Sequence, residues 1–422
     1  MNTYLERYAY PERFLSNEAQ AHTTQIVVIP CYNEPDLLTS LQSLANCKPT
    51  KGHTEVITVI NHGENASEEV IQRNQQTLEE AQAWASAQSL PHLSFEFIKV
   101  SNLPKKHAGV GLARKIGMDE AAYRLEILGK SKAPIICFDA DSQCSENYLL
   151  EIEQYFQDYP KTNAASIHFE HPLEGDFPKQ WYEAIEIYEL HLRYYVNGLR
   201  YAQHPFAYET IGSSMVVRAD IYQKQGGMNR RKAGEDFYFL HKIIPLGNFA
   251  DITSCQVIPS PRPSDRVPFG TGKAVGEFLA SGETQRMDSY HPEIFEELKV
   301  FIEKAYGFFK QPFGAVKEEM PAATQAFLVE SKFEEELQKI LKNSPNKKIF
   351  KQRFFQWFDG FRTLKYVHFL RDYQYPPIDL RSGVDKLFNL LEISQCQPAQ
   401  QLESMRAYDR HLHYSPKLSN WD

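Results

Sequence analysis

Residues 134–141 read PIICFDAD, an apolar run opened by a proline and closed by two carboxylates two positions apart. Apolar and β-branched residues bounded in this way predict a buried strand whose C-terminal end opens into a crevice. In open α/β sheets that edge is where ligands bind. Residues i and i+2 of an extended chain point the same way, so Asp139 and Asp141 converge on one hard cation if strand geometry runs through them. The competing reading is an Asx-type turn that closes the strand. The rest of the chain has to decide between the two.

Upstream, QIVVIP (25–30), TEVITVIN (54–61) and LSFEFIKV (93–100) read as strands. Between them lie Pro35 to Leu44, with Leu37, Leu38, Leu41 and Leu44 at helical spacing, and the amphipathic stretch Ser67 to Ser86. A further helix, Gly111 to Leu128, leads into PIICFDAD. This strict alternation predicts right-handed βαβ units and a mostly parallel sheet. Downstream the expected strands are Asn163 to Phe169, Ser214 to Arg218 and Phe249 to Ile258, with helices at Lys179 to Leu199 and Glu235 to Ile244. SPRPSDRVPFGTGKAVG (260–276) gathers Pro, Gly and Ser with basic residues and reads as a loop. From Pro292 onward the pattern is helical and strand-poor, with amphipathic runs at Glu293 to Phe309, Pro321 to Lys342 and Asn346 to Tyr373. The expected division is an N-terminal extension (1–24), an α/β domain (25–290) and a helical C-terminal region (291–422).

The composition, 24% charged and 42% apolar over 422 residues, is that of an ordinary globular protein with ample length for a core. A net charge of −8 argues against broad nucleic-acid binding while leaving room for a local basic pocket. The six cysteines are scattered and form no CxxC pair, as expected of reduced thiols in a cytoplasmic protein. The N-terminus lacks the features of a signal peptide, and nothing approaches the ~18-residue apolar run of a transmembrane helix. Peripheral membrane contact stays open.

Other charged and polar motifs fall on the same predicted sheet edge as Asp139. The first strand ends in PCYNEP, placing Pro30, Tyr32, Asn33 and Glu34 there, either as a cradle for a base and ribose or as a strand-to-helix turn. The second ends in Asn61, His62 and Gly63. Lys105, Lys106 and His107 lead into GVGLARKIG, whose Gly109-x-Gly111 is a partial dinucleotide fingerprint with Arg114 at the third glycine position. Cations at a helix start oppose the macrodipole, which suits a bound diphosphate or else marks a solvated basic face. Glu235 and Asp236 open a later helix, either complementing its dipole or supplying a general base.

Taken in order and spacing, IVVIPCYNEP, GVGLARKIG, the DAD of Asp139 to Asp141 and the GED of Gly234 to Asp236 resemble the family 2 glycosyltransferases of GT-A fold, over residues 25 to 260. The resemblance implies a Rossmann-like α/β domain with a mostly parallel central sheet and flanking helices, here followed by the helical C-terminal region. It implies Asp139 and Asp141 as DxD acids holding Mg²⁺ or Mn²⁺ against the diphosphate of a UDP- or GDP-sugar. A third ligand would be a histidine beyond the acidic motif, His291 or His204, with His291 taken as the candidate. Pro30, Tyr32, Glu34 and Asn61 would lie at the nucleoside, and Arg114 near the phosphates or base. Asp236 would be the base of an inverting transfer to an acceptor hydroxyl, with Glu235 orienting the acceptor. Arg262, Arg266 and Lys273 are read as a basic lid over the diphosphate. The acceptor is a glycan, a lipid-linked molecule or a small molecule.

Two departures stand out. Asn61-His62-Gly63-Glu64 replaces the Asp-Asp-Gly-Ser turn common after the second strand. Arg353-x-x-Gln356-Trp357 only approximates the QxxRW motif of processive membrane members, and Phe354, Trp357, Phe358 and Phe361 read as helix core instead. The alternative functions are a sugar nucleotidyltransferase, whose glycine-rich signature is absent at the first strand, and a non-catalytic nucleotide-sugar or glycan-binding protein of the same fold.

Overall fold

The computed structural model describes residues 2–264, 270–282, 286–418 and 421. Contacts divide the chain into two units, Met1–Ile185 with Thr210–Gly282, and Glu186–Glu209 with Glu283–Asp422.

The first unit opens with the short helix α1 (Thr3–Arg7) and then alternates β1 (Thr23–Cys31), α2 (Leu37–Ala45), β2 (His53–Gly63), α3 (Glu68–Ser86), β3 (Leu93–Leu103), α4 (Val110–Ile127) and β4 (Pro134–Cys137). There follow β5 (Gln143–Cys144), α5 (Tyr148–Asp158), β6 (Ala164–Phe169), α6 (Lys179–Tyr201, which runs on into the second unit), β7 (Met215–Arg218), α7 (Ala219–Lys224), α8 (Glu235–Ile243), β8 (Phe249–Ile258) and α9 (Thr271–Ser281). The eight strands form one sheet in the order β3-β2-β1-β4-β7-β6-β8-β5. Pairing is parallel from β3 through β4 and between β6 and β8, and β7 and β5 run against their neighbours. This is the mostly parallel α/β sheet with flanking helices expected from the alternation. The continuous apolar runs of β1 and β4 follow from burial on both faces, with Ile26 to Ile29 and Ile135 to Cys137 fully buried.

Helix α4 is buried all round from Gly111 to Ala122, which a charged sequence such as ARKIGMDEAAYR does not advertise. One face lies so close to the sheet that a Cβ on Gly117 would stand 2.5 Å from Val28 Cγ1. The N-terminal segment covers another. Asp119 Oδ1 accepts from Tyr4 Oη (2.6 Å), its Oδ2 from Tyr10 N (2.8 Å), Glu120 Oε2 from Phe14 N (3.4 Å), and Arg124 Nη1 donates to Asn17 O (2.7 Å). Lys115 is buried as well, its Nζ 2.9 Å from Tyr4 Oη and 2.8 Å from Asp119 Oδ2. The reading of Arg114 and Lys115 as a solvated basic face is therefore wrong.

The expected loop at 260–276 is in part the helix α9, from Gly270 at its N-cap to Gly282 in the left-handed region at φ +73°. Gly272 fits there because the chain at Ser264 packs against it, Ser264 N donating to Gly272 O at 3.0 Å.

The second unit holds the C-terminal part of α6 and the elements β9 (Asp288–Ser289), α10 (Glu293–Ala305), α11 (Phe313–Glu318), α12 (Ala322–Glu330), α13 (Phe333–Lys342), α14 (Lys347–Trp357), α15 (Gly360–Tyr373), β10 (Ile378–Asp379), α16 (Leu380–Leu390) and α17 (Gln401–His411). Two of the expected long helices are each broken in two. Lys332, at φ +51°, separates α12 from α13. Asp359 starts α15 by capping it, its Oδ1 accepting from Arg362 N at 2.8 Å. Phe354 and Phe358 are fully buried with Phe301 and Tyr366, and Trp357 nearly so, whereas Phe361 is exposed. The RxxQW stretch is thus packing. A buried network, Glu189 with Arg193 and Arg406, and Asp409 with Arg193 and Arg200, ties α6 to α17. No described helix is long and apolar enough to cross a membrane.

Candidate active site

The C-terminal ends of β1, β2 and β4 meet at one edge of the sheet. β4 stops at Cys137, Phe138 N still bonds Val28 O at 3.0 Å, and the chain then turns, Ser142 N donating to Asp139 O at 3.1 Å. The acids of PIICFDAD thus sit on a turn, and strand geometry does not run through them. Their side chains are nonetheless part-exposed, 36% for Asp139 and 27% for Asp141, while Ala140 and Ser142 between and after them are buried. Helix α2 fastens this turn from one face: Ser40 Oγ donates to Ala140 O (2.8 Å) and Ser43 Oγ accepts from Cys144 N (2.9 Å).

Arg114 joins the turn to the start of α8. Its side chain is 1% exposed, and the guanidinium bonds Asp139 Oδ1 through Nη2 (2.8 Å), Gly212 O through Nη1 (3.0 Å) and Glu235 Oε1 through Nε (3.3 Å). Burial opposes its charge, but Asp139 and Glu235 outweigh that and its pKa ends above the ordinary value. The two glycines before Arg114 have a different purpose from the one their spacing suggested. Gly111 N donates to Arg231 O at 3.1 Å, and a Cβ on Gly111 would stand 2.3 Å from that oxygen. A Cβ on Gly109 would stand 2.9 Å from Lys232 Cα. Gly-x-Gly lets the backbone before Glu235 lie directly against the N-terminus of α4, which accordingly faces protein there.

Glu235 and Asp236 begin α8. Glu235 is buried; burial first, then Asp236, push its pKa up to about 7 against the pull of Arg114. Burial also raises Asp236, against the hydrogen bond its Oδ1 accepts from Phe237 N at 2.7 Å. Asp236 is the less enclosed of the two. A carboxyl group brought near neutral pKa is equipped to exchange a proton.

The PCYNEP end of β1 forms a second ionic cluster. Glu34, fully buried, accepts from Arg262 Nη2 on both oxygens (2.9 and 2.7 Å) and from Asp36 N (3.0 Å). Arg262 also bonds Asp36 Oδ2 through Nη1 (2.9 Å), and its Nη2 lies 3.6 Å from Asp141 Oδ2. Pro30 is buried within β1 opposite Val59, Tyr32 is 37% exposed, and Asn61 is buried at the end of β2. Asn74 of α3 was missed from the sequence although it holds these two strand ends together, accepting from Asn33 N (2.9 Å) and donating to Asn61 O (2.9 Å). Its signal was a polar residue on the buried stripe Asn74, Thr77, Ala81. Arg266 lies outside the described residues. His291 belongs to the second unit, its ring stacked on Tyr375 at 5.8 Å, and His204 is part of that unit's core with Nε2 2.8 Å from Thr363 Oγ1 and Nδ1 accepting from Phe206 N.

Along this edge the carboxylates of Glu34, Asp36, Asp139, Asp141, Glu235 and Asp236 outnumber the guanidiniums of Arg114 and Arg262. Hard oxygen donors with surplus negative charge fit a divalent cation. Among the described residues no group of three His, Cys, Asp or Glu is gathered as a ready metal cage. Asp139 and Asp141 would thus hold a cation whose remaining positions are filled by the ligand or water, as Mg²⁺ sites commonly are.

Residues 26–224 match the family model described as Glycosyl transferase family 2. No curated protein matches the sequence. Among solved structures the chain is similar to residues 1-349 of S. aureus TarS in complex with UDP-GlcNAc, at 15% identity and a TM-score of 0.42 over 78% of this chain and 90% of that one. The same protein in complex with UDP gives 12% identity and a TM-score of 0.40 over 76% and 90%.

Proposed function

We propose, from the premise that residues 26–224 belong to glycosyltransferase family 2 and that the chain is a glycosyltransferase using a nucleotide-sugar donor, that the transfer is metal-dependent and inverting, with Asp236 as its base. The observation that carries this reading is the Arg114 bridge. A single buried guanidinium touches Asp139 on one side and Glu235, next to Asp236, on the other. Breaking a sugar–diphosphate bond by direct displacement needs positive charge at the leaving group and a proton acceptor on the opposite side of one sugar ring. The Arg114 bridge brings two acidic elements to one buried guanidinium, which supports dividing those two tasks between them.

In this proposal Asp139 and Asp141 would hold Mg²⁺ or Mn²⁺, its remaining positions taken by the donor or water, and the cation would supply charge to offset that developing on the departing diphosphate. Asp236 takes the proton of the acceptor hydroxyl as its oxygen attacks the anomeric carbon, and Glu235 orients that hydroxyl. Arg114 keeps Asp139 and Glu235 in register. Tyr32, Glu34 and Asn61 receive the nucleoside, and Arg262 and Arg266 the phosphates. The acceptor is a glycan, lipid-linked or small-molecule hydroxyl.

The test uses purified protein, a panel of UDP- and GDP-sugars and Mn²⁺. Nucleoside diphosphate should be released slowly by hydrolysis and faster with acceptor, with inverted anomeric configuration by NMR. Asp236→Asn should lower kcat by about 100-fold or more, and Asp141→Ala should abolish metal-dependent donor binding. Pyrophosphate release would point to a nucleotidyltransferase instead, and full transfer by Asp236→Asn would remove the base assignment.

A further inference from the structure

The turn that carries Asp139 and Asp141 is fastened to α2 by a row of residues at helical spacing, and the row ends in a thiol. Ser40 bonds Ala140 O, Ser43 bonds Cys144 N, and Cys47, just past the end of α2, brings its Sγ to 3.7 Å from Cys144 Sγ. Positions 40 and 43 fall on one face of the helix, and beyond its end Cys47 Sγ lies 3.7 Å from Ser43 O. Backbone bonds hold both partners from either side: Lys48 N donates to Glu146 O at 2.6 Å, and Ser145 N to Gln256 O at 3.1 Å. Cys47 is 4% exposed, whereas Cys144 is only half-buried, so a small oxidant reaches the pair from the Cys144 side.

We propose that Cys47 and Cys144 are a redox modification site, closing to a disulfide under a peroxide-class oxidant and thereby displacing the turn that bears Asp139 and Asp141. A disulfide requires sulfurs about 2.05 Å apart, so the contact must shorten by about 1.6 Å. In α2, Leu37, Leu41 and Leu44 are buried. β5 is a two-residue edge strand that begins two positions after Asp141. The shorter, less anchored element is the one that moves, and it carries the acidic turn with it.

The chemistry balances with one peroxide. One of the two thiols loses its proton and its thiolate attacks a peroxide oxygen, the O–O bond breaks, a sulfenic acid and hydroxide form, and the released proton turns the hydroxide into water. The other sulfur then attacks the sulfenyl sulfur, the S–O bond breaks, a second water leaves and the S–S bond forms. Two thiols are oxidised and one H₂O₂ is reduced to two waters.

The full-length protein is treated with H₂O₂, alkylated without reduction, digested and analysed by mass spectrometry. The expected product is a Cys47 peptide joined to a Cys144 peptide, with free thiols falling from six to about four, as one disulfide requires, and reversal by dithiothreitol. No such joined peptide, a Cys144–Cys255 linkage, or sulfinic acid at Cys144 in place of a linkage would each overturn the site. The activity arm rests on the proposed nucleotide-sugar transfer, and mass mapping decides the linkage even if no donor is turned over. Oxidation should lower nucleoside diphosphate release by up to about 100-fold, the loss that misplacement by ~1 Å can cause. Cys47→Ser and Cys144→Ser should keep their rate in peroxide. A fully linked protein with unchanged rate overturns the displacement of the turn.

Discussion

Replacing Arg114 by methionine removes the guanidinium while keeping most of the side-chain volume, so the loss it causes is electrostatic rather than a cavity. The guanidinium is 1% exposed and bonds Asp139, Glu235 and the Gly212 carbonyl. Breaking a buried ion pair by removing one partner costs about 3 to 5 kcal/mol. For a unit of this size that corresponds to a fall in unfolding temperature of roughly 10 °C. The loss should depend on pH with a definite sign. Glu235 already has its pKa raised to about 7 in the presence of Arg114, and without the cation it rises further. A carboxyl group whose folded pKa exceeds its unfolded value is stabilising in its protonated form, an advantage lost as pH rises through the folded pKa. The deficit of Arg114→Met is therefore largest near pH 8 and shrinks by pH 5.5, where Glu235 is protonated in the fold. On the proposed cation site at Asp139 and Asp141, Mn²⁺ should restore more of the unfolding temperature in the variant than it adds to the wild type. Circular-dichroism melts at the two pH values, with and without Mn²⁺, make the measurement. A variant that melts within ~3 °C of wild type at pH 8 would show that the guanidinium does not hold the acidic edge together.

Gly111→Ala places a Cβ 2.3 Å from Arg231 O, so backbone must move; a cost of about 1 to 3 kcal/mol should appear in the urea midpoint together with a fall in kcat, and an alanine variant of wild-type stability and rate would refute the close-packing role. Burial, with His22 and His92 nearby, lowers the pKa of His53 to about 4. That contribution is present above the unfolded value near 6.5 and lost as pH falls towards 4, an amplitude of at most about 3 kcal/mol. His53→Gln should lose less stability than wild type between pH 7 and pH 4.5, as read from urea midpoints, and parallel acid limbs would contradict it. Arg262→Ala removes the cation from Glu34, Asp36 and Asp141 and should raise donor KM about tenfold or more, the worth of a charged hydrogen bond; an unchanged KM would exclude Arg262 from the donor site.

The strands of the first unit were legible because apolar runs of β-branched residues cut off by Pro, Gly and Asp have few other solutions, and PIICFDAD is the clearest of them. Its turn was legible only as one of two readings, since nothing in the string says that hydrogen bonding stops at Cys137. Gly109-x-Gly111 marks a close approach without naming what approaches, and the answer, the backbone at Arg231, is 120 residues further on. α9 was hidden by Gly272 and Gly276, poor helix formers that tertiary contact with Ser264 overrides. In the second unit, Asp359 followed by Gly360 was a readable start signal inside a long amphipathic run. Lys332 in the left-handed region carries no such signal, because that conformation ordinarily selects Gly or Asn.

Arg114 was the residue least legible of all, and α4 explains why. Five of its six charges, Arg114, Lys115, Asp119, Glu120 and Arg124, are spaced as on a solvated helix and are buried. They are buried because residues 2–17 lie along the outer face of the helix and supply partners there, from Tyr4 on Asp119 to Asn17 on Arg124. Excluding water from α4 lowers the local dielectric, which strengthens Arg114–Asp139 as it strengthens any satisfied pair and raises the penalty for leaving it unmade. A segment that contributes no side chain to the acidic edge thus fixes its geometry through the helix beneath it. Charged groups oriented in advance need no reorganisation when charge develops nearby, so the dependence of the edge on the N-terminal segment is electrostatic before it is mechanical.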